Sequence, residues 1–542
     1  MATQAASGET VCASQGTVAV RPATGAAARA LAAAPDSTKA LVVCVSEAPL
    51  REVRYSAGLS TADFVQVDGR FTHNYFLGGS RRLNAQATVG NLGARYLSEA
   101  LPQSVFNNPF RNTKIPGRRE DRFFLPTYFV GADVQQRDVG SPNNTLGLGV
   151  FASRRLSPGV FVDQGQGANA SFTRRLGLAA TASLAYRFEF NRVRAGDVYF
   201  CVNFGVCDAA TIAAVSSSKR LAPLVLTAQA GRADDPLSPT RGTVARATLE
   251  HASGATLSQF RYNRVVGEAS HYRAAPFFPR VTLAGHVRAG FVRSLGGAGS
   301  AGGVGGTGFE LLHPRTRFYA GGSQSVRGYG ENQLGPRVLT IDPNVIRGRT
   351  VTRNGADSAV SFAPDSLGGS PACALDGAVN LLTCFNARRA FLGDGSFNPR
   401  PLGGSALVEA NLEARFPIWQ QLFGAVFVDA GVLGERSFRD LTSGTRAVTP
   451  GFGVRYRSPV GPVRVDLGIR PRIREILPVI TQVTDSTGAN TLLDLTRANP
   501  GATGRCADAA TPGCRVYPLD SQLGVQGVLR RLVLHLSIGE AF

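Results

Sequence analysis

Arg327 lies in the stretch GGSQSVRGYGENQLGP (321–336), whose glycines and proline exclude a long helix and whose polarity does not alternate as a strand would. A guanidinium in such a segment does one thing well: its planar fork makes two parallel hydrogen bonds to a carboxylate. Carboxylates with suitable spacing follow it. Glu409 and Glu413 share one face of VEANLEARF (408–416), Asp429 belongs to FVDAG (427–431), and Asp466 to VRVDLGIR (463–470). Period-two alternation places these acids, with Arg415, Arg455 and Arg464, on the polar faces of strands. Such a set can hold a loop in place, and it does not suggest turnover of a substrate. On the residues alone, a paired Arg327 and a solvent-facing Arg327 are both open.

Other chemistries find little support. There is no G-x-S-x-G nucleophile elbow, and the six histidines are scattered without metal-ligand spacing. GVGGTG (303–308) fits G-x-G-x-x-G in form, but it sits in a glycine-rich run and opens no helix. The chain reads as a non-enzyme with no cofactor and no metal. Its 58 basic and 38 acidic residues leave a net charge of +20. The arginines are spread along strand-like segments rather than along a helix, which argues against nucleic acid and for a solvated inner face.

The eight cysteines include three local couples: Cys201/Cys207, Cys373/Cys384 and Cys506/Cys514. With no CxxC and no nearby histidine, disulfides in an oxidising compartment are the better reading, and Cys12/Cys44 is a fourth candidate.

The elements that must position these residues are short alternating segments. VQVDGRFT (65–72) sets Val65, Val67 and Phe71 against Gln66, Asp68 and Arg70, and VRVDLGIR sets Val463, Val465, Leu467 and Ile469 against Arg464, Asp466 and Arg470. About sixteen such segments, each near the ~10 residues of a tilted transmembrane strand, start near Val53, Phe64, Ser80, Thr127, Leu146, Gly159, Leu176, Leu221, Gly242, Ser258, Arg280, Gly403, Leu422, Val448, Gly461 and Val528. No apolar run is long enough for a transmembrane helix.

The connections segregate. FLGGS (76–80), RRLG (174–177), DDPLSPTRG (234–242), PFFPR (276–280), FPIWQQ (416–421) and SPVGP (458–462) are short and follow even strands. The long stretches, roughly 92–123, 191–219, 294–402 and 472–526, follow odd strands and hold all three cysteine couples. That asymmetry belongs to a closed, 16-stranded, antiparallel transmembrane barrel. LVLHLSIGEAF closes the chain with Leu534, Leu536, Ile538 and Phe542 on one face. Residues 51–542 are therefore assigned to the barrel. In residues 1–50, GAAARALAAAP (25–35) predicts a short helix and KALVVCVSEAP (39–49) a strand, the tail of a small α/β domain. The N-terminus has neither the basic nor the apolar region of a signal peptide, so the chain is expected to be a fragment.

Five motifs in order name a family. FYAGGSQSVRGYGENQLGP (318–336), FVDAG, GFGVRYRSPVGPVRVDLG (451–468), DDPLSPTRGT (234–243) and LHLSIGEAF resemble the outer-membrane assembly-factor superfamily of BamA, TamA and the two-partner-secretion transporters, the bacterial surface antigen barrels. AGGSQSVRGY and GGSALVEANLEARFPI look closer to TamA than to BamA. The resemblance implies a loop inserted into the lumen and anchored through Val326, Arg327, Gly328 and Tyr329. It favours Asp429 as the partner of Arg327, with Asp466, Glu409 and Glu413 as the other acids, and Phe427 and Gly431 as the rest of the strand motif. It makes residues 1–50 the C-terminal remnant of a POTRA-like domain. It also implies a weak seam between first and last strands, where Gly58, with Ser56, Ser60 and Thr61 in VRYSAGLST (53–61), Gly539 and Phe542 mark labile edges.

The function implied is assembly, insertion or translocation of proteins at the bacterial outer membrane. Its partners would be outer-membrane lipid, unfolded outer-membrane or secreted client polypeptides, and periplasmic or inner-membrane accessory proteins, with no nucleic acid. A two-partner-secretion transporter and a passive porin are the alternatives. A large steady pore would favour the porin, and small flickering currents the assembly factor.

Overall fold

The structure, a computed structural model, describes residues 2–4, 9–14, 17–22 and most of 49–538, leaving out 61–63, 95, 97–113, 116–117, 120, 158, 196–216, 236–237, 296–311, 355–356, 364–371, 376, 436, 443, 459–460, 473, 485–489, 499–505, 519–523 and 530. The helix expected over 25–35 and nearly all of the strand expected over 39–49 lie outside the described residues. What is described before the barrel is a three-stranded antiparallel sheet of Ala2–Gln4, Glu9–Ser14 and Thr17–Pro22.

Sixteen antiparallel strands form a ring. They are β1 (Arg51–Ser60), β2 (Phe64–Asn74), β3 (Arg81–Leu92), β4 (Thr127–Arg137), β5 (Asn144–Ser157), β6 (Phe161–Arg175), β7 (Ala180–Ala195) and β8 (Leu224–Ala233). They continue as β9 (Gly242–Ala252), β10 (Tyr262–Ala274), β11 (Thr282–Ser294), β12 (Ala406–Trp419), β13 (Leu422–Gly434), β14 (Thr445–Ser458), β15 (Gly461–Ile469) and β16 (Leu532–Ile538). Observed starts fall within four residues of the expected ones, the largest offsets being at Ala180, Tyr262 and Leu532. A short strand, Lys219–Leu221, extends β8 beyond Pro223, which has no N–H to give to a ladder.

The wall is inverted relative to a water-soluble sheet. On β12, Leu412 is 67% exposed while its neighbour Glu413 is 3% exposed. The same alternation runs through Val426, Val428, Phe452, Val454 and Val465, which face outward, and through Phe427, Asp429, Arg464 and Asp466, which are buried. An apolar outer face with a polar enclosed one suits a surrounding of lipid.

Even-numbered strands are followed by short turns, as expected. The odd side is less uniform: β1–β2 and β5–β6 are also joined by very short links, so long loops are confined to odd positions without filling all of them. The turn after β8 is locked by Asp234, which accepts from the backbone amides of Thr240 (2.8 Å), Arg241 (3.0 Å) and Asp235 (3.0 Å). Burial is the largest single influence on this carboxyl and works against the ionised form. The Thr240 hydroxyl and these amides nonetheless hold the Asp234 carboxyl well below the usual carboxylate range.

The loops after β11 and β15 fold into one cap. Strand Arg337–Thr340 pairs antiparallel with Asn398–Pro401 and parallel with Glu475–Thr484, which also pairs with Asn490–Asp494 and Cys514–Tyr517. Leu339, Ile341, Leu381, Phe385, Phe397 and Val479 form its core. The first helix, α1 (Pro343–Arg347), begins at Asp342, whose carboxylate accepts from the Asn344 amide at 2.8 Å, and ends at Gly348, whose φ of 60° is left-handed. The second, α2 (Ala378–Arg388), carries Cys384, bonded to Cys373, and a second disulfide joins Cys506 to Cys514.

Candidate functional site

The segment 312–336 lies against the buried polar face of the barrel strands. Its apolar residues Val326, Tyr329 and Leu334 pack with Leu407 of β12, Leu433 of β13 and Ala447 of β14. This packing places Arg327, 1% exposed, over the wall.

Arg327 and Asp429 meet fork to fork: Nε donates to Oδ2 at 2.8 Å and Nη2 to Oδ1 at 2.8 Å. The Arg327 backbone amide adds a third bond to Asp429 Oδ2 at 3.0 Å. Nη1 donates to Glu413 Oε2 at 2.7 Å and to Asp466 Oδ2 at 3.3 Å. Below, the guanidinium carbon sits 3.4 Å from the centre of the Phe427 ring. Three carboxylates around one guanidinium would repel one another without further cations. Arg415 and Arg455 share Glu413 (2.7 and 2.5 Å), and Arg464 reaches Asp466 at 3.4 Å.

Glu409 is the exception among the four acids. It does not reach Arg327. Two pleat repeats along β12 from Glu413, it accepts from the Ser325 hydroxyl and from Arg288 at 3.5 Å. Asn411, between the two glutamates on the same face, donates to the Ser325 carbonyl at 2.8 Å. Glu409 therefore holds the approach to the anchor instead of the arginine itself.

The glycines act through space. A Cβ at Gly328 would come within 2.3 Å of Thr449 Cγ2, and one at Gly431 within 2.7 Å of Val326 Cγ2. Gly328 has no left-handed backbone, so what its missing side chain provides is a close approach to β14.

At the seam, β16 pairs with β15 from Val463↔Ile538 to Ile469↔Leu532. Among the described residues its only pair with β1 is Ser537↔Ser60. Gly58 lies on β1; Gly539 and Phe542 lie outside the described residues, as do Cys201, Cys207 and Cys44, and nothing is described of the Cys12 side chain.

Sequence reasoning missed a second cluster. Arg315, in HPRT (313–316), meets Asp163 of β6 at 2.9 Å and Glu189 of β7. Asn191 bonds Asp163, and His313 Nε2 meets Asn191 Oδ1 at 2.8 Å. Arg187 completes the group on Glu189 at 2.8 Å. The signal was present, because Asp163, Glu189 and Asn191 occupy the polar phase of their strands. Among the described residues no group of His, Cys, Asp or Glu is arranged to hold a metal ion.

A closed ring of antiparallel strands with an apolar outside and an ionic inside is an outer-membrane β-barrel. Residues 122–473 match the Omp85 superfamily domain, and the chain belongs to that superfamily. Among solved structures it is similar to BamA from Haemophilus ducreyi lacking POTRA domains 1–3, at 13% identity and a TM-score of 0.50, covering 83% of this chain and 69% of that one. It also matches CdiB from Acinetobacter baumannii (8% identity, TM-score 0.39, 82% of this chain and 58% of that one). CdiB from Escherichia coli matches at 11% identity with a TM-score of 0.37, covering 79% of this chain and 61% of that one.

Proposed function

We propose that this chain assembles, inserts or translocates polypeptides at the outer membrane through the seam between β1 and β16, with the VRGY loop seated in the lumen as a plug. The single observation that carries the reading is the Omp85 superfamily match over residues 122–473, on a ring whose first and last strands, β1 and β16, meet at the seam. The one described pair across that seam is Ser537↔Ser60, and residues 61–63 and 539–542 beside it lie outside the described residues. A strand edge without a partner is a template for another strand, and a client β-hairpin can add there by main-chain hydrogen bonds. The mechanism is non-enzymatic: it exchanges one set of backbone hydrogen bonds for another.

Residues 1–50 we assign to the end of a POTRA-like domain that delivers clients to the seam. The phrases AGGSQSVRGY and GGSALVEANLEARFPI support a TamA-like branch. Lipid, unfolded outer-membrane or secreted clients, and periplasmic or inner-membrane accessory proteins are the partners this role needs.

The test is a lock across the seam. Ser60→Cys with Ser537→Cys, oxidised in liposomes, is expected to abolish insertion of a model outer-membrane barrel, and reduction to restore it. Undiminished insertion by the oxidised protein overturns the reading. A large, steady conductance in the unsubstituted protein would instead support a porin.

A further inference from the structure

The seam strand has neighbours on both of its edges and on its enclosed face. On one edge β16 has its full ladder to β15, and on the other the single described pair to β1. What it has besides these lies inside the barrel. His535, 4% exposed, lies on the enclosed face of β16 between Val533 and Ser537. Its Nε2 is 2.8 Å from the carbonyl oxygen of Arg327. A carbonyl only accepts, so Nε2 carries the proton and donates. Two residues along, the Ser537 hydroxyl accepts from Arg464 Nη2 at 2.7 Å, and the same nitrogen lies 3.4 Å from the Ser323 carbonyl. The loop backbone is pressed onto this spot: a Cβ at Gly468, opposite Val533 in the ladder, would fall 2.0 Å from the Arg327 oxygen.

We propose that His535 is a positioning residue that fastens the seam strand to the plug loop, so that the register of β16 at the seam is held from inside the barrel. The proposal rests on the seam being where clients enter, and it goes further by making release of the loop and opening of the seam one event. Arg327 then has two duties: its side chain anchors the loop to β12, β13 and β15, and its carbonyl holds β16.

Spin labels at Leu59→Cys on β1 and Leu536→Cys on β16, in the full chain in liposomes, read the seam directly with no client present. Glutamine carries its amide nitrogen about where Nε2 lies and keeps a donor, while asparagine is a methylene too short. Both are polar, so a general folding defect does not separate them. The expected result is one short distance in the unsubstituted protein and in His535→Gln, and loss of that short-distance population in His535→Asn and His535→Ala. An unchanged distribution in all four, or a His535→Gln protein as open as His535→Asn, overturns the proposal. These outcomes are independent of the disulfide lock: an open seam in His535→Asn together with full insertion by the locked protein would uphold the fastening and reject the insertion role.

Discussion

At the scale of one residue, Arg327 shows how a charge survives out of water. Its donors meet Asp429, Glu413 and Asp466, and a phenyl ring covers its face. Removing Arg327 leaves Asp429 buried without its cation, while Glu413 and Asp466 keep Arg415, Arg455 and Arg464, and breaking such a buried pair costs on the order of 3–5 kcal/mol. Arg327→Ala is therefore expected to lower the unfolding midpoint in urea strongly and to reduce the heat-resistant folded fraction on a gel. Arg327→Lys keeps the charge and loses the fork, and it should fall between. Arg497→Ala, on a largely exposed side chain in the cap, should leave the midpoint unchanged within error. Equal effects at the two positions would remove the case for an anchor. The arginine was legible in the sequence because its loop motif is unusual. The failure of Glu409 to reach it was not, because alternation assigns a face and says nothing about which of two glutamates lies level with a loop.

At the scale of elements, barrel strands were readable and the cap was not. Each strand carries its own period-two pattern, so its phase is recorded locally. The cap is held by pairings between distant segments, such as Leu339↔Val479, and by α2, whose sequence AVNLLTCFNAR lies inside the long stretch 294–402. No local pattern records such contacts. Because this core is small, its two disulfides matter: closing short loops contributes about 2–4 kcal/mol each. Reduction in membranes is therefore expected to raise hydrogen exchange across 337–341 and 475–484 while leaving β12 to β14 protected. The barrel strands have their own ladders and do not contain these cysteines. Loss of protection in β13 on reduction would show instead that cap and barrel form one cooperative unit.

At the scale of the whole molecule, the loop is tied at two distant parts of the wall. Arg315 holds β6 and β7, and Arg327 holds β12, β13 and β15, roughly half the ring away. On the plug reading proposed above, a segment fixed at both ends crosses the lumen and blocks it; fixed at one end, it swings. This gives the positive charge of the chain a structural use, since arginines on both loop and wall neutralise inward carboxylates that would otherwise repel. It also orders a set of variants. Single-channel recording in planar bilayers should show small, brief openings for the unsubstituted protein, more frequent ones for Arg315→Gln or Arg327→Gln, and long, large openings when both are changed. Arg315 is the milder loss, because its side chain is 21% exposed against 1% for Arg327, so water replaces part of what its carboxylates provided. Recording from the heat-resistant fraction alone separates a released loop from an unfolded barrel. If the double variant conducts no more than the unsubstituted chain, the two clusters do not brace the loop, and the lumen is closed by something other than their shared hold on it.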